Sequence, residues 1–297
     1  MRFATSQRLL SAAVCFALAP AASAQLSPYS QDFESLLPGQ ANFTPDPADD
    51  DLANDGWMVF GQLADPTGAS IIPNTNYGPF VAPNTDGAGF AFSAVKDAAL
   101  PNPVESHVTP AQGTRHLNIA NDYQNPSHSN GSNNVVVSSV FQSQIIGAGN
   151  SGQTWSLTFD ATLPNNAFNF VGPSSPTNRS LAFMRIIDPN NPNVAPTILG
   201  EFDASNLNDQ TWQSQSFTYT FNGADVGKEL QFGFETRAAN GSPTGTFYDN
   251  IEFFEGVPGE EEPEGEARSV PMPLAGLIAL GALLAFGGLA VTRRNAG

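Results

Sequence analysis

The sequence predicts an all-β protein: an antiparallel β-sandwich ectodomain, preceded by a secretory signal peptide and followed by one C-terminal transmembrane helix. Three observations carry this. Short runs through the middle of the chain alternate apolar and polar residues, with Gly, Pro, Asn and Asp clusters between them. No amphipathic helical repeat longer than about two turns interrupts them. The two ends are apolar in two different ways.

Residues 1–24 read as a signal peptide. Arg2 and Arg8 form a basic start, Leu9 to Ala19 an apolar segment, and Ala22-Ser23-Ala24 a small-residue cleavage site, so the mature chain begins at Gln25. The only cysteine, Cys15, lies inside this segment. A mature chain without cysteine excludes disulfides, thiol catalysis and cysteine metal sites.

Residues 25–256 hold the strands. Trp155 to Leu163 alternates over its whole length, Thr211 to Phe221 in its second half, and Leu230 to Thr236 cleanly. Further strands are expected at Trp57 to Leu63, Gly89 to Val95, Arg115 to Ala120, Val135 to Phe141, Ser180 to Ile187, Thr197 to Phe202 and Thr246 to Phe254. About ten short strands with turn punctuation predict a sandwich. Trp155, Leu157, Phe159 and Ala161 would line its core from one strand, and Phe217, Tyr219 and Phe221 from another.

Residues 257–269 are an acidic linker rich in Pro, Gly and Glu. Residues 270–297 hold Val270-Pro271-Met272-Pro273, an uncharged apolar run from Leu274 to Val291, then Arg293 and Arg294. The run spans roughly 27 Å as a helix, enough for a thin bilayer core. Arginines after it favour a cytoplasmic C-terminus, with the bulk of the chain on the other side.

The 28 acidic residues all fall between the two ends, against seven basic ones there, an excess of 21 negative charges. Nucleic acid and anionic lipid are poor partners for such a surface. Neutral glycans, cations and cationic surfaces remain open as partners, but hydration and solubility in salty water account for such a surface better than a specific cationic ligand does.

The paired ends resemble those of bacterial surface proteins with a PEP-CTERM-type sorting tail, although Met272 stands where that family usually has glutamate. The resemblance implies recognition by an exosortase-type membrane protease, passage through the inner membrane, and release to the cell surface or extracellular matrix. The centre resembles a jelly-roll module of the carbohydrate-binding type. The residues that carry this are Asp32-Phe33-Glu34 near the mature N-terminus, Phe232-Gly-Phe-Glu235, and the closing Asp249-Asn250-Ile251. The resemblance implies that first and last strands are neighbours. It further implies that Glu34 and Asp249, with Asp32 as a third, hold one structural Ca2+ through hard oxygen ligands.

Sugar binding would require aromatic faces in loops, and Tyr77 and Tyr123 are the candidates, with Phe80 beside the first. Trp57, Trp155 and Trp212 open strands and belong to packing. Asp46 to Asp55 is an acidic loop without the spacing of a calcium-binding loop, and is expected to be solvated. Nothing singles out a catalytic centre. The three histidines, His107, His116 and His128, form no metal-binding pair, and Asp160, Glu201 and Glu235 are unremarkable strand carboxylates. The expected role is non-catalytic adhesion or glycan binding at an envelope or in a biofilm. A purely structural matrix role and a polysaccharide-active enzyme are the alternatives.

Overall fold

The computed structural model describes residues 25–39, 51–83, 91–97, 112–121, 133–163, 177–191, 194–207, 211–239 and 244–259. The signal peptide, Tyr123, the Val270–Pro273 motif, the apolar run, Arg293 and Arg294 lie outside them, as do His107 and His128. No helix among the described residues is long and apolar enough to cross a membrane.

Twelve strands fill the described chain: β1 Tyr29–Gln31, β2 Met58–Ala64, β3 Tyr77–Val81, β4 Ala91–Asp97, β5 Arg115–Asn121, β6 Val135–Ile145, β7 Thr154–Thr162, β8 Arg179–Ile187, β9 Thr197–Asp203, β10 Gln213–Thr220, β11 Glu229–Ala238 and β12 Gly245–Glu255. They make two antiparallel sheets. The first runs β10-β7-β12-β5-β4, with β1 added beside β12. The second runs β3-β2-β6-β11-β8-β9. From β5 to β8, and again from β9 to β12, the chain changes sheet at every connection, so the two layers are laced together.

The period-2 pattern explains the layering. On β7, Trp155, Leu157, Phe159 and Ala161 are buried in the core, and on β11 Leu230, Phe232 and Phe234 face them. Rings meet across the interior: Phe234 stacks on Tyr248 at 3.6 Å between centroids, and Phe232 on Phe253 at 4.7 Å. Each fully buried side chain of this size contributes about 2 kcal/mol or more. Phe217 and Tyr219 on β10 are half-buried, as fits a strand at the sheet margin. Among the described residues the shared core of the two layers comes from residues between Leu26 and Phe253.

The first and last strands are neighbours, with Tyr29 opposite Phe253 and Gln31 opposite Ile251. Two strands differ from the sequence reading. β1 is three residues long, too short to show a period. β3 contains Gly78-Pro79, which reads as a turn; proline is tolerated there because β3 is an edge strand. Tyr77 and Phe80 therefore stand on a strand and not in a loop.

The acidic stretch also differs. Asp51–Asn54 form a single helical turn, α1. Asp55, expected in solvent, is a half-buried acceptor for the Tyr29 hydroxyl (2.5 Å), Gln31 Nε2 (3.0 Å) and the Trp57 indole N–H (3.1 Å). That cluster ties β1 to the entry of β2.

Candidate functional site

Two groups of charged side chains stand out, on different sheets. The first is the acidic corner where β1, β7 and β12 meet. Asp249 on β12 lies directly opposite Asp160 on β7, and the ladder then shifts register as Asn250 takes a left-handed φ of 47°. Pairing of β1 with the end of β12 brings Asp32 and Glu34 to the same corner.

Glu34 is a clip. Its carboxylate accepts the N–H groups of Thr114 (2.6 Å) and Arg115 (3.0 Å) and the Thr114 hydroxyl. These bonds, the hydroxyl first, hold its carboxyl below the usual range. Gly113 makes the approach possible. It has a φ of +73°, and a Cβ on it would run into Glu34 Oε1. Asp160 accepts from the Gln112 amide, the Ser214 hydroxyl and Asn250 Nδ2 (2.9 Å).

Asp249 is placed otherwise. It is 2% exposed, and its donor among the described residues is the Asn250 N–H at 2.8 Å. Burial lifts its carboxyl to about 7; the charges of Glu34, Asp160 and Asp32 add to the rise, against the Asn250 bond. Nearby, Gln112 Oε1 is buried with no donor among the described residues. A buried carboxyl ringed by carboxylates, beside an orphaned amide oxygen, fits a hard cation in charge and donor chemistry. Among the described residues no three histidine, cysteine or carboxylate side chains form a ready-made ligand group, so a cation here would also need amide oxygen or water.

The second group lies on the outer face of the other sheet. Alternation puts Gln231, Gly233, Glu235 and Arg237 of β11 on that face, beside Arg185, Phe183, Leu181 and Arg179 of β8 and Ser143, Phe141, Ser139 and Val137 of β6. Glu235 accepts from Arg237 at 3.0 Å and Ser139 at 3.2 Å, with Arg185 at 3.7 Å. The Arg185 guanidinium lies 4.1 Å over the Phe183 ring and donates twice to Gln231 Oε1, at 3.0 and 2.9 Å. Gln231 in turn donates to Glu229, which also receives the Ser143 hydroxyl. Burial lowers the Arg185 pKa, and Glu235 and Glu229 hold its charge against that.

Glu235 and Gln231 are buried, although they point away from the core. Phe141 and Phe183 flank Gly233 on this face and are buried too, at 2% and 3% exposure. A Cβ on Gly233 would strike the Val140 carbonyl and sit 2.6 Å from Phe141 Cα. Arg179, ion-paired with Glu201 (3.2 Å) and Asp203 (3.4 Å), forms a more exposed rim. Three of the seven basic residues between the chain ends are thus on one sheet face. That scarcity, with charges at alternate positions of otherwise apolar strands, is the signal by which sequence reading could have found this face.

Tyr77 belongs to neither group. It stands opposite Gly61, and Phe80 opposite Val59, whose side chain is in the core. The pair, 4.9 Å apart and edge-on, is therefore on the core-side margin of the sheet and half-exposed. His116 is buried on β5 beside the rings of Phe247 and Trp212.

No family model and no curated protein matches the chain. Solved structures similar to it include a Stig cyclase from Fischerella sp. TAU, bound to (3Z)-3-(1-methyl-2-pyrrolidinylidene)-3H-indole. It is 14% identical with a TM-score of 0.41, over 77% of this chain and 98% of that one. The CBM22-1 xylan-binding domain of Paenibacillus barcinonensis Xyn10C is 12% identical with a TM-score of 0.36, over 79% and 97%. The module TmCBM61, in complex with β-1,4-galactotriose, is 10% identical with a TM-score of 0.31, over 55% and 82%. Likenesses of this size assign no function.

Proposed function

We propose that this chain is an exported, non-catalytic surface or matrix protein whose jelly-roll sandwich binds a neutral polysaccharide along the outer face of the β3-β2-β6-β11-β8-β9 sheet. One observation carries the reading: fixed donors and acceptors, Arg185, Gln231 and Glu235, form a network on the outer face of this sheet, over the covered rings of Phe141 and Phe183. Sugar hydroxyls are recognised by oriented polar atoms of this kind. Glu235 shares its oxygens among two arginines and Ser139, which suits it to fixing those donors better than to proton transfer. The acidic excess turns the protein away from nucleic acid and from anionic surfaces.

The test is a glycan array, followed by retention on insoluble polysaccharides, with residues 25–258. Arg185→Ala should abolish binding, and Tyr77→Ala should leave it intact. Loss with Tyr77→Ala but not with Arg185→Ala would move the site to the β3 margin. Absence of any binder would favour a purely structural role.

Export and sorting rest on the two ends. The signal peptide delivers the chain across the inner membrane, and an exosortase-type protease reads the Val270–Pro273 tail and removes it. Mass spectrometry of the mature C-terminus tests this; a chain ending at Gly297 would sink it. The acidic corner binds one structural Ca2+ through Asp249 and Glu34, its shell completed by amide oxygen and water, pinning the first strand to the last. A chelator should then lower the melting temperature of residues 25–258.

A further inference from the structure

Among the described residues the longer strands at sheet margins are β3, β4, β9 and β10. Three carry devices that discourage pairing with another chain. β3 contains Pro79 and slips register against β2. β9 slips register against β8 and carries Glu201 and Asp203. β4 ends in Lys96-Asp97, and its Val95 carbonyl already accepts the Gly39 N–H at 2.7 Å. β10 has none of these. Gln213-Ser-Gln-Ser-Phe-Thr-Tyr-Thr220 has no charge, proline or glycine, and pairs with β7 in unbroken register over its 8 residues.

The backbone of β10 is set for a further partner. Phe221 gives its N–H to Gln153 and takes that of Gly152, so its polar groups point toward the β7 side. Alternation then turns the amides of Ser214, Ser216, Thr218 and Thr220 outward. The outer-face hydroxyls of these residues already pair across to β7: Thr220 with Thr154 at 2.8 Å and Thr218 with Ser156 at 2.9 Å.

We propose that β10 is the seam of a homodimer, in which two copies pair β10 on β10, antiparallel, and join two sheets into one. A second copy fits because the strand is self-complementary. Centred on Phe217, the pairing sets Ser216 against Thr218 and Ser214 against Thr220, repeating the hydroxyl-to-hydroxyl pattern that β7 supplies. The seam is uncharged, while the ectodomain around it carries a large negative excess. Association is therefore opposed by long-range repulsion and strengthened by salt.

Sedimentation velocity on residues 25–258 tests this. The dimer fraction should rise between about 50 mM and 500 mM NaCl. Ser216→Lys and, separately, Thr218→Lys place a charge on exposed seam positions and should weaken self-association at least about tenfold at either salt concentration. Their melting temperature and far-UV spectrum should match the parent. As a check that needs no variant, the amides of residues 214, 216, 218 and 220 should gain protection from hydrogen exchange as protein concentration rises. A chain that stays monomeric in high salt overturns the proposal. So does a dimer that both lysine variants retain, or concentration-independent exchange at these four amides.

Discussion

The acidic corner and the charged sheet face both withdraw ionisable groups from water, but they balance charge in opposite ways. On the sheet face Glu235 is matched by Arg185 and Arg237, with Ser139 and Gln231 as further partners of Glu235 and Arg185. At the corner Asp249 meets only like charge from Asp32, Glu34 and Asp160. A balanced network is complete by itself and can offer its spare hydrogen bonds to an uncharged ligand. An unbalanced one is completed by a proton or by a cation, and its stability must depend on both.

The largest expected effect follows from that imbalance. Folded Asp249 holds its proton to about pH 7, whereas an ordinary aspartate loses it near 3.8. Between those values the folded state binds more protons than the unfolded state. The metal-free protein should therefore lose stability as pH rises from 4 to beyond 7, by up to about 4 kcal/mol. Saturating Ca2+ should restore most of it at pH 7.5. Asp249→Asn should flatten the metal-free profile and remove the calcium response. Urea melts at several pH values, with and without Ca2+, read all three. An unchanged slope in Asp249→Asn would show that the corner is not its origin.

The sheet face should respond with the opposite sign. Glu235→Gln leaves Arg185 and Arg237 facing each other with less compensation, at a cost of roughly 2 kcal/mol. Asp249→Asn, by contrast, should stabilise the metal-free protein at neutral pH. If both substitutions destabilise alike, the contrast between the regions fails.

These regions were unequally legible in the sequence. Ten of the strands could be read because a half-buried sheet imposes a two-residue period, as on β7 and β11. The gathering of Asp32, Glu34 and Asp249 at one corner was accessible only through their resemblance to opening and closing motifs. No period links residues some 215 positions apart. Asp160 was seen as a strand carboxylate, but its pairing with Asp249 is a matter of register, which sequence does not display. Arg185 and Glu235 met for the same reason: each occupies the outward position on its own strand, and only the β8–β11 pairing makes them partners. Tyr77 was misplaced because Pro79 reads as a turn wherever the strand's edge position is unknown.

A smaller effect sharpens the geometry of the corner. Gly113→Ala puts a methyl group against the Glu34 carboxylate at a backbone φ of +73°. It should cost about 1–2 kcal/mol. Because Glu34 must then withdraw, the calcium-induced rise in melting temperature should shrink with it. A loss of stability with an undiminished calcium response would make Glu34 a clip for Thr114 and Arg115 and nothing more.

The smallest effect belongs to the rim of the sheet face. Arg179 pairs with Glu201 and Asp203, and these side chains are 26%, 40% and 27% exposed. At such exposure solvent screens most of the attraction, and a second acid remains when one is removed. Glu201→Gln should therefore cost no more than about 0.5 kcal/mol, and less still in high salt. Polysaccharide affinity should also change little, because Arg185 and Glu235, which are far less exposed, keep their network. A large loss of affinity with stability unchanged would mean that the ligand is held at the rim by β9. The screened edge would then be the working part of the face, and the buried network only its scaffold.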